Sequence, residues 1–287
     1  MTVFCVIVSA GIAYGWQSIE DRASSNEEKP YSPSEHRAME ENNIVVIDKE
    51  KSDVNDNISE SQGSETSKAD EITSSSQETE KKYGLLEETE RVRSKYFDDA
   101  VFIGDSITTG ITLYDIMPNA KVFASTGINL QSINTAQVVN NPNGSEKLTI
   151  LQALEKSEAE KVYIMLGANG LAFLGPENTV DLYRDFVEKV KEIKPESIIY
   201  VQSIFPIHEK KFAERYKGNL TNETIDETNK LLMKMSEELS VYYVNPAEIF
   251  KDETGGLMDN VTPDGLHFNS EYYTKWMDYL KTHAVVK

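Results

Sequence analysis

The chain has 287 residues, 39% of them apolar, with a formal net charge of −19 and one cysteine, Cys5. That charge excludes a sequence-independent nucleic-acid binder, because affinity for phosphate backbones comes mainly from clustered Lys and Arg, and no basic stripe occurs. A lone cysteine ahead of the folded part leaves no material there for disulfides or a thiolate metal cluster.

Residues 3–16 (VFCVIVSAGIAYGW) are almost wholly apolar. The run is short for a membrane span of about 20 residues and lacks a basic flank, yet a buried helix there would have nothing to pack against. Residues 1–19 therefore read as a membrane anchor or export signal. An uncleaved anchor is preferred, since no small-x-small cleavage site follows and Cys5 lacks a lipobox. Residues 20–82 are rich in Ser, Glu, Asp, Asn and Lys and almost without aromatics, so they cannot bury enough apolar surface to offset the entropy of ordering them. They read as a disordered linker whose reach of roughly 45 Å would hold a domain in the layer just outside a bacterial cell membrane. A single folded domain, monomeric, is expected over residues 83–287.

Within it, residues 85–96 (LLEETERVRSKY) suit a helix, and residues 100–103 form a short apolar run ended by Gly104, the pattern of a buried first strand. Further apolar runs at 121–124, 162–166, 198–202 and 241–244 alternate with helical patterns at 147–156, 179–193, 222–239 and 270–282. Five such strands alternating with amphipathic helices predict a parallel sheet covered on both faces, with its site beyond the carboxyl ends of the strands. The loops at 104–106, 125–127 and 167–170, and the segment before the last helix, are where chemistry is expected.

Ser106 follows a strand-ending Gly104-Asp105 and opens the next helix, where unpaired N–H groups and the helix dipole favour developing negative charge. A serine there can act as nucleophile and donate its own N–H to an oxyanion. The plain alternative is a helix N-cap at Asp105 or Ser106. Asp264 and His267 form D-x-x-H in VTPDGLHFNSEYY, after the last strand, where a tight turn through Gly265 can bring a carboxylate to the imidazole it orients. Asn269 or Ser270 then caps the final helix. Asn169, in LGANG after the third strand, offers a side-chain oxyanion donor, and Gly127 a backbone one; turn chemistry is the plain alternative for both. His36 falls in the linker and His283 at the end of the last helix, while His208 reads as a solvated loop residue or a lining of the cleft. No His, Cys or carboxylate cluster has ligand spacing, so chemistry without metal or cofactor is expected.

Taken together, these places resemble the SGNH/GDSL hydrolases over roughly residues 98–281, in a membrane-tethered bacterial form. Gly104-Asp105-Ser106 looks like the first block of that family, Gly127 the second, Gly167-x-Asn169 the third and Asp264-x-x-His267 the fifth. The resemblance implies a three-layer α/β/α sandwich of flavodoxin type with a five-stranded parallel sheet. It also implies a Ser106-His267-Asp264 triad, an oxyanion hole from Ser106, Gly127 and Asn169, and no metal. Its activity would be removal of short acyl groups, acetyl foremost, from a small ester or an acylated glycan of the cell envelope. Two departures stand out: the first block continues Ile-Thr-Thr, and Gly170 stands where the third block usually has aspartate. A glycine there is similar to that of some surface O-acetyltransferases of the family, which keeps acyl transfer to a wall polysaccharide open. A silent, tethered envelope-binding module is a further alternative, though every triad member is present. A phosphate-binding flavodoxin-like domain lacks the glycine-rich loop and basic residue it would need.

Overall fold

A computed structural model of the chain describes residues 83–216 and 218–286; the anchor and linker read at 1–19 and 20–82 lie outside them, as does His36. Among the described residues there are eight strands: β1 (Gly84–Leu85), β2 (Ala100–Gly104), β3 (Lys121–Ala124), β4 (Gln137–Val139), β5 (Leu148–Thr149), β6 (Lys161–Met165), β7 (Ile198–Gln202) and β8 (Tyr242–Val244). The helices are α1 (Ser106–Leu113), α2 (Ile150–Lys156), α3 (Ala168–Ile193), α4 (Glu209–Arg215), α5 (Asn222–Glu238) and α6 (Ser270–Lys281).

Six strands form one parallel sheet in the order β1-β8-β7-β6-β2-β3, while β4 and β5 make a small antiparallel pair. Every residue of β2 and β6 is buried, as expected of central strands with helices on both faces. On one side α3 packs against α2 and α5, and elsewhere α1 packs against α6. The sheet is braced by an aromatic row in register across four strands: Phe102 pairs with Tyr163, Tyr163 with Tyr200 and Tyr200 with Tyr242. The first two pairs stack at centroid distances of 4.9 and 4.4 Å, a contact worth roughly 1 kcal/mol each beyond the area buried.

The sheet has one strand more than the five expected, and the extra strand corrects the helix expected at residues 85–96. Leu86 donates its N–H to Tyr243 at 2.8 Å, Thr89 to Thr282 at 2.6 Å and Val92 to Lys281 at 2.8 Å, so this segment spends its backbone donors on the open edge of β8 and the end of α6. An isolated helix of that length is marginal in water, and an unpaired sheet edge outcompetes it. Only a 3₁₀ turn at Ser94–Phe97 survives, burying Phe97. The helix expected at 147–156 starts at Ile150, because Thr149 and Gln152 close a capping box there. The stretch His208 to Arg215, read as loop, contains α4; a helix this short with one buried residue, Phe212, carries almost no periodic signal.

Gly104 pairs with both Ala124 and Met165, so β2, β3 and β6 end level with one another. The loops that follow them carry Ser106, Gly127 and Asn169 and therefore emerge side by side at one rim of the sheet.

Candidate active site

Ser106 is the first residue of α1, half-buried, and its helix is capped by Asp105, whose Oδ1 accepts from the Ile107 N–H at 3.1 Å. Asp105 is 2% exposed. Burial pushes its carboxyl up to about 6, against the opposing pull of the Ile107 N–H and of His267. The aspartate of the Gly104-Asp105-Ser106 block is thus the buried cap of the helix that the serine opens. Helix α1 is held there by Tyr273 of α6, whose hydroxyl donates to the Ile107 carbonyl at 2.9 Å. Its ring lies where a Cβ on Gly110 would come within 2.2 Å of it, so only glycine admits this approach.

The segment from Thr262 to His267 is folded around the Asp264 carboxylate. Oδ1 accepts the N–H groups of Leu266 at 2.9 Å and His267 at 2.8 Å, and Thr262 Oγ1 accepts from Gly265 N at 2.8 Å while lying 3.3 Å from Oδ1. This turn needs Gly265, which has φ +92° and lies against the backbone of α4. Oδ2 receives His267 Nδ1 at 2.8 Å, and His267 Nε2 lies 2.9 Å from Ser106 Oγ. The structure therefore brings Asp264, His267 and Ser106 into one hydrogen-bonded chain, across 161 residues of sequence between serine and imidazole. Burial would raise the Asp264 carboxyl, but the hydrogen bond and charge of His267, the Tyr216 hydroxyl and the His267 N–H together hold it well below the ordinary carboxylate range. An ionised Asp264 fixes the proton on Nδ1 and turns the lone pair of Nε2 to the serine.

Asn169 interrupts α3 with φ −78° and ψ +98°, and Gly170 follows at φ +117°. An aspartate at position 170 would be strained in that conformation, which accounts for the glycine there. The Asn169 Nδ2 donates to the Ile128 carbonyl at 3.1 Å, so its amide sits beside Gly127, which turns the chain at φ +77° after β3.

Sequence reasoning missed Tyr216. Its hydroxyl donates to Asp264 Oδ2 at 2.5 Å and lies 3.2 Å from His267 Nδ1. Burial first, and then the Asp264 charge, push the phenol well above its ordinary range, so it stays protonated and can only donate to the carboxylate. Lys211 was missed as well: its ammonium bridges the carbonyls of Asp259 at 2.8 Å and Thr262 at 3.0 Å, fastening α4 to the turn. His208 caps α4, with Nδ1 accepting from Lys211 N at 3.4 Å and Nε2 lying 3.2 Å from Asp259 Oδ1, so it is a helix-capping residue and not a solvated loop histidine. His283 is buried and stacked on Tyr279 at 3.9 Å. Among the described residues, no group of three or more His, Cys, Asp or Glu side chains could hold a metal ion, and no helix is long and apolar enough to cross a membrane.

A sequence model of the GDSL-like Lipase/Acylhydrolase family matches residues 102–275, the span that carries Ser106, Gly127, Asn169, Tyr216, Asp264 and His267. No curated protein matches the chain. A Streptococcus pneumonia protein described as a candidate platelet activating factor shares the fold at a TM-score of 0.52 and 18% identity, over 66% of this chain and 87% of its own. A GDSL-like lipase from Bacteroides thetaiotaomicron aligns at a TM-score of 0.42 and 18% identity, over 65% and 86%. A family 3 carbohydrate esterase from Clostridium thermocellum aligns at 0.45 and 15%, over 64% and 94%. At 18% identity the first of these likenesses is one of fold alone.

Proposed function

The chain belongs to the GDSL-like lipase/acylhydrolase family of ester hydrolases, and from that premise we propose that Ser106 is its nucleophile, His267 its general base and acid, and Asp264 the carboxylate that orients and charge-balances the imidazole. The observation that carries this reading is the continuous chain from Asp264 Oδ2 through His267 to Ser106 Oγ, with links of 2.8 and 2.9 Å. In the first step Oγ attacks the ester carbonyl as its proton passes to Nε2. The oxyanion is received by the N–H of Ser106, which the helix itself leaves unpaired, by the N–H of Gly127 and by the Asn169 amide, whose NH₂ has a second proton besides the one given to Ile128. Collapse expels the alcohol, protonated by His267, and water repeats the sequence on the acyl-enzyme.

The substrate proposed is a short acyl ester, acetyl foremost, on a carbohydrate or cell-envelope component. What supports it is the composition ahead of the domain: an apolar run at 3–16 followed by the acidic, serine-rich residues 20–82 would station the domain just outside a bacterial cell membrane.

The test is intact-protein mass spectrometry of the full chain incubated with p-nitrophenyl acetate and longer p-nitrophenyl esters, with and without sugar acceptors. An acyl adduct on Ser106, turned over by water and fastest for acetyl, is the expected result. Acyl transfer to sugar outpacing hydrolysis replaces hydrolase with transferase, and an adduct on another residue overturns the nucleophile.

A further inference from the structure

We propose that Tyr216 is a positioning residue for this chemistry, acting through Asp264 to lock the tautomer of His267 and to restrain how strongly the carboxylate holds the imidazolium. The inference rests on the Ser106–His267 reading above and concerns a residue outside the family motifs.

The geometry leaves the protons little choice. Asp264 Oδ1 is occupied by two backbone N–H groups, with Thr262 Oγ1 close by, and Oδ2 faces both His267 Nδ1 and the Tyr216 hydroxyl. A carboxylate surrounded only by donors is ionised and acceptor-only. The single phenolic proton therefore points at Oδ2, and the phenol's lone pairs face Nδ1 at 3.2 Å. Were Nδ1 bare, the phenol would be drawn to donate to it and the serine would face an N–H instead of a base. With its proton committed to Oδ2, Tyr216 offers Nδ1–H a second acceptor and penalises that wrong tautomer.

The same bond has an electrostatic effect of opposite sign. A short O–H···O⁻ bond drains charge from Oδ2, and a weaker anion stabilises the imidazolium less. Among the described residues, Asp105 acts on the imidazole and Arg215 on the phenol, beside Asp264 itself. Tyr216 is placed by the end of α4: its N–H donates to the Phe212 carbonyl at 2.7 Å and its ring packs on Phe212 at 5.1 Å. The first turn of α4 is in turn seated on Gly265, with the His208 N–H donating to the Gly265 carbonyl at 2.9 Å. One short helix thus touches the D-x-x-H turn at its beginning and grips its carboxylate at its end.

The experiment follows phosphonylation of Ser106 in the full chain by an alkyl fluorophosphonate, read by intact mass. In this reaction the Oγ–P bond forms, the P–F bond breaks, fluoride leaves and the hydroxyl proton passes to His267, so no natural substrate is required. In Tyr216→Phe, which keeps the ring on Phe212, the plateau rate falls about tenfold and the acid limb of the pH profile moves up by roughly half a pH unit or more. Tyr216→3-fluorotyrosine, a stronger donor of nearly the same shape, moves that limb the other way, a reversal that altered packing would not produce. In an Asp264→Asn background, Tyr216→Phe changes the rate less than about twofold, because its route to His267 is already cut. An unshifted limb in both Tyr216 variants, or equal effects with and without Asp264, overturns the proposal. If Ser106→Ala is still labelled at the parental rate, the underlying nucleophile assignment fails; if Ser106→Ala is inert and the Tyr216 variants match the parent, only the role of Tyr216 fails.

Discussion

Gly265 lies so close beneath α4 that a Cβ added to it would come within 2.3 Å of the Phe212 amide nitrogen and 2.8 Å of its Cα. The contact is backbone against backbone, so no rotamer can relieve it. The position also has φ +92°, which L side chains rarely adopt. Gly265→Ala is expected to lift α4 from the turn, lowering stability by roughly 2–4 kcal/mol and disordering the Asp264–His267 pair. Urea unfolding followed beside Ser106 labelling checks this. A parental midpoint with parental labelling would show that α4 does not seat the turn.

The proposed triad predicts unequal losses. Ser106→Ala and His267→Ala each remove a reacting group and should lower kcat by several orders of magnitude. Asp264→Asn changes the orientation and charge balance of His267 without removing a reacting group, and should lower kcat less than either, with the loss in kcat and not in KM. Steady-state kinetics on p-nitrophenyl acetate measures all three. Equal activity of Ser106→Ala and the parent would remove the serine from the mechanism.

The legible part of this fold is the part written in local sequence. The apolar runs at β2, β3, β6, β7 and β8 and the Gly104-Asp105-Ser106 turn announce a parallel sheet and a helix start, because each depends on neighbours within a few residues. Asp264 and His267 were readable for the same reason, being three residues apart in one turn. Tyr216 was not: its partners lie 48 and 51 residues away, and nothing in EKKFAERY distinguishes a tyrosine over a carboxylate from one over a core. The edge strand β1 was hidden by the opposite problem, a segment with helical composition whose backbone donors are claimed by β8 and α6.

Asp105 makes a stability prediction with a definite sign. Its folded carboxyl is raised to about 6, so the folded state binds its proton more tightly than the unfolded chain does. The cost of ionising it is absent below about pH 4, grows as pH rises towards 6 and is complete above that. Asp105→Asn keeps an oxygen to cap Ile107 and removes the buried charge. It should therefore raise stability at pH 7, by at most roughly 3 kcal/mol, and leave it nearly unchanged at pH 4. Thermal unfolding of parent and variant across that range is the measurement. A gain that is the same at both pH values would mean the carboxyl is not the source.

The Asn169 amide has two duties that one variant can separate. Its Nδ2 donates to the Ile128 carbonyl at 3.1 Å, a link between the loops after β6 and β3 that holds Gly127 beside it. Losing that bond in Asn169→Ala costs about 1 kcal/mol and lowers Tm slightly. If the second amide proton meets the developing oxyanion, kcat falls in addition by about 10²-fold or more, roughly 3 kcal/mol, with KM little changed, since that bond strengthens only in the transition state. The two costs appear in different measurements, Tm and kcat, on the same protein. A small drop in Tm with kcat within a few-fold of the parent would leave Asn169 as a loop tie alone. The oxyanion would then fall to the N–H groups of Ser106 and Gly127, and Gly127, whose missing Cβ would meet nothing within 4 Å, would become the position to alter next.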